Sequence, residues 1–520
     1  MMFFKTLLAI ASGLLLTAGF PKTGLYFLTW FSLVPLGLAI RNINPGHTFR
    51  LGFIAGLSHY LTLLYWQVYT MHTYGGLPYY LCVPVLFLMA AYLSTYTAAF
   101  CWCISRYLRK PAYALFFIPP LWVALEYLRA TILTGFPWEL LGYSQFRWSA
   151  IIQLSDIAGV FGVSYIILVA NITITIGLLY LLQKKWCGHT VHRNTMRCGG
   201  GLLVIVITVS VGYGFWRIHT ITGQMNQQKS PVVALIQGNV DQSIKWNPAF
   251  QLLTTNKYKQ LSLSAIPAQP DLIVWPETAT PFYLGYDERL TQIVINGVKE
   301  NGTSFLIGSP SFKQESDKPV FYNSAYLVSP EGDIIDKYDK THLVPFGEYV
   351  PMKKWLPFIK KMVAQVGDFK SGPKGDTLSW GDRKLGVLIC YESIFPSLSR
   401  ALVKNKADIL VNITNDAWFG RTSATYQHFS MAVFRSVENR RSLVRAANTG
   451  ISGYVDPVGR IGQTSPVLSE KVLTASVPMV NFESFYTRFG DIFAQTCLLL
   501  CSLFFISGYI RNRTRKPVAP

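Results

Sequence analysis

Long apolar runs fill the first part of this chain and return only near its end. Runs at about 4–20, 24–40, 51–70, 79–105, 112–130, 160–182, 200–216 and 489–510 each approach the roughly 20 residues a helix needs to cross a bilayer. They predict eight transmembrane helices. The first is short, follows Lys5 and ends in small residues, as a signal peptide would, but further spans follow at once and it reads as retained. From about 230 to 480 the pattern changes to short β-branched runs separated by amphipathic stretches and turn residues. Strands are predicted at Val232–Gln237, Leu272–Trp275, Thr303–Ile307, Ser324–Val328, Leu385–Ile389, Ile409–Ile413 and Ser452–Val455. Helices are predicted at Ala249–Ile266, Leu290–Asn301, Ile394–Lys404 and Gln427–Asn439. This alternation predicts a layered α/β domain of about 250 residues. The expected organisation is a seven-helix membrane domain over 1–216, a water-facing domain over 217–486, and an eighth span with a basic tail over 487–520.

Charge gives this layout a direction. Between Arg217 and Tyr486 there are 29 Lys/Arg and 23 Asp/Glu, which leaves 18 basic against 4 acidic residues elsewhere. Most of the +20 net charge therefore flanks the spans, as orientation charge does, and nucleic-acid binding is not expected. Arg41 and Arg50, then Arg106, Arg109 and Lys110, then Lys184, Lys185, Arg193 and Arg197, and finally Arg511, Arg513, Arg515 and Lys516 fall on one side. The other side has only Lys22, Arg129 and Arg147. Both termini are expected in the cytoplasm and the 217–486 domain outside it, in the periplasm of a bacterial inner membrane. The aromatic loop Gly135-Phe136-Pro137-Trp138-Glu139 is expected at the outer interface. Glu126 and Asp156, close to apolar runs, read as solvated helix ends before they read as functional groups.

Candidate chemistry lies where predicted strands finish. Of the eight cysteines only Cys390 falls in the polar domain, so no disulfide can form there. A lone cysteine is as readily a small buried hydrophobe, but Cys390 ends the apolar run Leu385–Ile389, a position that favours a nucleophile. The run Leu272–Trp275 delivers Glu277 behind Pro276, and Lys340 and Glu348 flank the stretch Thr341–Gly347. Read alone, the glutamate and the lysine could both be solvated surface residues. Together the three form a chemical proposal. A thiol near its free pKa needs a base, which Glu277 could supply, and Lys340 could stabilise the oxyanion of a tetrahedral intermediate. No histidine is required. The histidines also lack metal-ligand spacing and there is no glycine-rich phosphate loop, so neither metal nor cofactor is expected.

The order of strand-Glu, strand-Lys and strand-Cys resembles the carbon–nitrogen hydrolase (nitrilase) superfamily. Over almost its full length the chain is similar to the membrane branch of that superfamily, the apolipoprotein N-acyltransferases. The most specific stretches are His342-Leu343-Val344-Pro345-Phe346-Gly347-Glu348, Cys390-Tyr391-Glu392 and Asn415-Asp416-Ala417-Trp418-Phe419-Gly420. The resemblance implies an α-β-β-α sandwich beside a multi-pass α-helical membrane domain. It implies a catalytic triad of Glu277, Lys340 and Cys390, with Glu348 positioning or charging Lys340, and importance for Trp246, Tyr391 and Glu392. The implied reaction takes an acyl chain from a membrane phospholipid onto Cys390 as a thioester. The chain then passes to the α-amino group of the diacylglyceryl-cysteine that begins a lipoprotein. A monomer is expected.

The segment Pro351–Val366 mixes Met352, Trp355, Leu356, Phe358, Ile359, Met362 and Val363 with four lysines, which suits an arm in the headgroup region that covers the site. Two other readings exist. A membrane-anchored amidase or nitrilase would use water as acceptor and release no lysophospholipid. A transporter with a binding module would need paired ionisable residues at mid-membrane, and four acidic residues outside the insert offer few.

Overall fold

The computed structural model describes residues 2–315, 318–349 and 369–514, so the predicted arm at Pro351–Val366 lies outside the described residues. The chain separates into two compact units. One comprises the segments up to Val68, Tyr79–Trp216 and from Phe489 onward; the other comprises Tyr69–Pro78 and Arg217–Arg488.

Apolar helices make up the first unit. Among the described residues, Tyr79–Tyr107, Pro111–Thr134, Ser155–Leu181, Arg193–Met225 and Ile492–Ile510 are long and apolar enough to cross a membrane. The first three expected spans take other forms. Met2–Ala18 is a shorter apolar helix. The second run breaks into a 3₁₀ turn, Tyr26–Trp30, and a helix, Val34–Ile40, with Pro35 in its first turn. The amide freed at that break needs a partner, because lipid offers none. Asn171 supplies it, accepting from Leu33 N at 2.8 Å and donating to Thr29 O at 2.8 Å. The third run divides into Pro45–Leu63 and Trp66–Thr73. Glu126 and Asp156 are buried rather than solvated: Glu126 accepts from Leu141 N at 2.7 Å, and Asp156 from Tyr213 Oη at 2.6 Å. Trp138 and Glu139 of the aromatic loop are likewise buried, and Arg129 donates to Trp138 O at 3.3 Å.

The second unit is a four-layer sandwich. Its strands are β1 (Val232–Gln237), β2 (Leu272–Val274), β3 (Ser304–Glu315), β4 (Lys318–Val328), β5 (Ile334–Asp339), β6 (Leu378–Trp380), β7 (Arg383–Ile389), β8 (Ile409–Thr414), β9 (Ser442–Ala447), β10 (Gly453–Val455), β11 (Ile461–Thr464) and β12 (Lys471–Ser476). They form two six-stranded sheets, ordered β12-β1-β2-β3-β4-β5 and β11-β10-β9-β8-β7-β6. Pairing is parallel within β1-β2-β3 and within β7-β8-β9, and antiparallel elsewhere in the two sheets.

The period of two along each strand assigns the faces. Val233, Leu235, Leu272 and Val274 point into the core shared with Leu385, Val387, Val411 and Val444 of the facing sheet. Their neighbours Ala234, Ile236 and Ile273 pack instead against α1 (Pro248–Leu263) and α2 (Glu288–Asn301). The other sheet is covered by α3 (Pro396–Lys404) and α4 (Ala424–Asn439). Both helices over the first sheet start on side-chain caps, with Asn247 accepting from Ala249 N at 3.0 Å and Asp287 from Leu290 N at 2.9 Å. The parallel strands β2 and β7 are buried on both faces, so their C-terminal ends open into loops that carry Glu277 and Cys390.

Candidate active site

Three strand ends converge. β2 ends in Trp275-Pro276-Glu277, and the chain turns there against β3, where a side chain at Gly308 would come within 2.2 Å of Pro276 O. Trp275 locks the turn from the other side, donating its Nε1–H to Ser262 Oγ at 2.8 Å. β5 ends at Asp339, so Lys340 follows directly, and β7 ends at Ile389, so Cys390 follows directly.

The charged groups form a closed cluster. Lys340 Nζ lies 2.9 Å from Glu348 Oε1 and 3.6 Å from Glu277 Oε1. Asn323 on β4 donates to the same two oxygens, at 2.8 Å to Glu277 and 2.9 Å to Glu348. The second oxygens are held by backbone: Asn415 N donates to Glu277 Oε2 and Val344 N to Glu348 Oε2, both at 2.8 Å. Burial alone would lower the Lys340 pKa, but Glu348 and Glu277 outweigh it and hold the ammonium firmly charged. For Cys390, burial pushes the thiol pKa up; Glu277 adds to that and Lys340 opposes it. The resting sulfur is therefore a thiol, whose proton must leave as it attacks.

Cys390 sits at a sharp bend. Its φ of +53° is in the left-handed region, which side chains other than glycine and asparagine seldom adopt, and it opens a 3₁₀ turn over Cys390–Ile394. Glu392, fully buried in that turn, accepts from Ile389 N at 2.6 Å, from Thr341 N at 2.6 Å and from His342 N at 2.9 Å. It thus ties the backbone just after Lys340 to the backbone just before Cys390. Its burial raises its pKa to about 7 despite those donors. Tyr391 packs edge-on against Phe395, with ring centroids 5.0 Å apart. Trp246 is 43% exposed, on the chain between β1 and α1.

Several site residues were not legible in the sequence. Asn323 is one: a single amide in a long strand carries no signal of its own. Lys245 is another. It is fully buried, donates to Thr278 Oγ1 at 2.8 Å and to Glu277 O at 3.4 Å, and burial lowers its pKa to about 7 against the opposing charge of Glu277. Gln242 and Asn448 complete the support, bonding the Asn415 side chain at 2.6 Å and 3.1 Å. The Asn415–Gly420 turn is packed by the segment Tyr69–Pro78: Thr70 donates to Trp418 O at 2.9 Å and Tyr74 to Ala417 O at 3.0 Å. Gly420, at φ +54°, lies against the Tyr69 ring, 2.6 Å from where a side chain would begin.

Comparison with known proteins identifies the family of both regions of the chain. Residues 12–173 match the model of the apolipoprotein N-acyltransferase N-terminal domain, and 232–486 match that of the carbon–nitrogen hydrolases. The apolipoprotein N-acyltransferase of Geobacter metallireducens is 45% identical over 95% of this chain and 93% of its own length. The chain belongs to the apolipoprotein N-acyltransferase family. That of Bdellovibrio bacteriovorus is 33% identical over 89% of this chain and 86% of its own. Among solved structures, an amidase from Nesterenkonia sp. AN1 aligns over 48% of this chain and 93% of its own, at 19% identity and a TM-score of 0.37. By the family matches, the protein is a membrane enzyme of the nitrilase superfamily whose carbon–nitrogen hydrolase region, 232–486, forms the α/β sandwich.

Proposed function

We propose that this protein moves an acyl chain from a membrane phospholipid to the α-amino group of the N-terminal diacylglyceryl-cysteine of a lipoprotein, through a thioester on Cys390. The observation that carries the reading is the buried Glu277–Lys340–Glu348 cluster beside a cysteine on a left-handed bend. In the first half, Cys390 Sγ attacks the ester carbonyl as Glu277 takes its proton. Lys340, held charged by its two carboxylates, stabilises the oxyanion. The ester C–O bond then breaks, Glu277 returns the proton to the departing oxygen, and lysophospholipid leaves. In the second half the amine attacks the thioester, the C–N bond forms as the C–S bond breaks, and the amine proton returns to sulfur by way of Glu277. Glu348 and Asn323 keep Lys340 and Glu277 in register, Glu392 joins the two catalytic loops, and Tyr391 and Trp246 contact the substrates. The distribution of basic residues supports an inner-membrane protein with both termini in the cytoplasm and the sandwich in the periplasm.

The acceptor can be tested directly. Purified protein in phospholipid vesicles is given a diacylglyceryl-cysteine lipopeptide with a free or an acetylated α-amine. Stoichiometric lysophospholipid and N-acylated product are expected with the free amine and no transfer with the blocked one. Free fatty acid at the same rate from both would replace this reading with hydrolysis.

A further inference from the structure

Beyond the Asn415 amide that holds Glu277, the Asn415–Gly420 motif reaches the nucleophile through one histidine that has no part in the chemistry above. A left-handed backbone at a residue with a side chain persists only where its surroundings over-determine it. At Cys390 the constraint falls on the carbonyl oxygen, which accepts from Ser393 Oγ at 3.0 Å and lies 3.1 Å from His428 Nε2. His428 comes from α4 and is 1% exposed. Its other nitrogen, Nδ1, lies 2.9 Å from an Arg445 Nη2 and 3.0 Å from Asp416 Oδ1. That arginine, on β9, donates to Asp416 Oδ2 at 2.8 Å and also to Asn412 Oδ1, and Thr414 Oγ1 donates to Asp416 Oδ1 at 2.9 Å. Burial would raise the Asp416 pKa, but Arg445 and then His428 outweigh it and keep the carboxylate ionised, while burial and Arg445 keep His428 neutral. A neutral ring has one N–H. With the proton on Nε2 the Cys390 carbonyl gains a donor and Nδ1 accepts from Arg445.

We propose that His428, braced by Arg445, which Asp416 holds in turn, is a positioning residue for acyl transfer, its Nε2–H holding the Cys390 carbonyl and with it the left-handed backbone that aims Sγ at the acyl carbon. The proposal rests on Cys390 being the nucleophile. It gives the Asn415–Gly420 motif two tasks on neighbouring residues: the Asn415 amide fixes the base, and Asp416 fixes the arginine that supports the histidine under the nucleophile.

The test compares His428→Gln, whose amide can reach the place of Nε2, with His428→Asn, whose amide reaches only that of Nδ1. Both keep a buried polar group, so a difference between them reports the carbonyl contact rather than folding. In phospholipid vesicles with a free-amine lipopeptide, His428→Gln is expected within about threefold of the native kcat. His428→Asn is expected to lose about 10- to 100-fold in kcat with KM within about twofold, the scale of a misplaced reacting atom. Alkylation of Cys390 by iodoacetamide, followed by peptide mass, should fall in parallel in His428→Asn alone. Equal rates for the two variants, or a change confined to KM, would overturn the proposal. Cys390→Ala run alongside separates the two claims: transfer surviving in that variant sinks the nucleophile itself, whatever the histidine variants do.

Discussion

The two units bury polar groups under the same rule and put them to different use. In the helical unit Asn171, Glu126 and Asp156 each meet a small number of partners and close gaps where a helix breaks or ends. In the sandwich, Glu277, Lys340, Glu348, Glu392, Asp416 and Arg445 share partners, so that moving one disturbs several. The groups of the helical unit serve the backbone; in the proposed mechanism those of the sandwich hold reacting atoms in place. The difference predicts that substitutions in the sandwich cluster act on rate, and those in the helical unit on stability.

The largest effect should come from Lys340→Met, which leaves two buried carboxylates without their cation and the oxyanion without its donor. It is expected to lower kcat about 10²- to 10³-fold, read as lysophospholipid release, and Lys340→Arg should restore only part, because a planar fork does not replace a point charge. Next is a pH effect. The Lys245 pKa is lowered from 10.5 to about 7 in the folded protein, so between those values the unfolded chain binds the extra proton and stability rises with pH. The slope is about 1.4 kcal/mol per pH unit at most. The Tm of the native protein should therefore gain on that of Lys245→Met from pH 7 to 9, and parallel curves would contradict the burial of that ammonium. Asn323→Ala, which unties Glu277 from Glu348, should reduce kcat by about tenfold and also lower the Tm by a few degrees, since a charge-assisted hydrogen bond contributes about 1.5–3 kcal/mol. Smallest is Asn171→Leu in the helical unit, expected to reduce stability by about 1 kcal/mol, a Tm fall of a few degrees, with kcat unchanged.

Periodicity made the skeleton of both units readable and left the connections between them obscure. Strands β1, β2, β7 and β8 are largely apolar runs, and the ends of β2 and β7 announce Glu277 and Cys390. β5, Ile334–Asp339, escaped because charged and apolar residues mix on a strand buried mainly at Tyr338. β9, Ser442–Ala447, escaped because Arg445 interrupts its apolar pattern, although that arginine is fully buried as the partner of Asp416. The break in the second apolar run was not legible because hydropathy records apolar length and not where an amide will be left without a partner. Lys245, Asn323 and His428 share one reason for being missed. Each acts through a contact across at least 32 residues of sequence, which no local pattern records.

Everything in the catalytic account depends on Cys390 carrying the acyl group between donor and acceptor. Intact and peptide mass spectrometry of protein incubated with a phospholipid of single acyl composition, without acceptor, tests this most directly. The account predicts one added acyl mass on the Cys390 peptide of the native chain, removed by hydroxylamine and absent from Cys390→Ala. An acyl mass on another residue, or lysophospholipid released equally by Cys390→Ala, would contradict it.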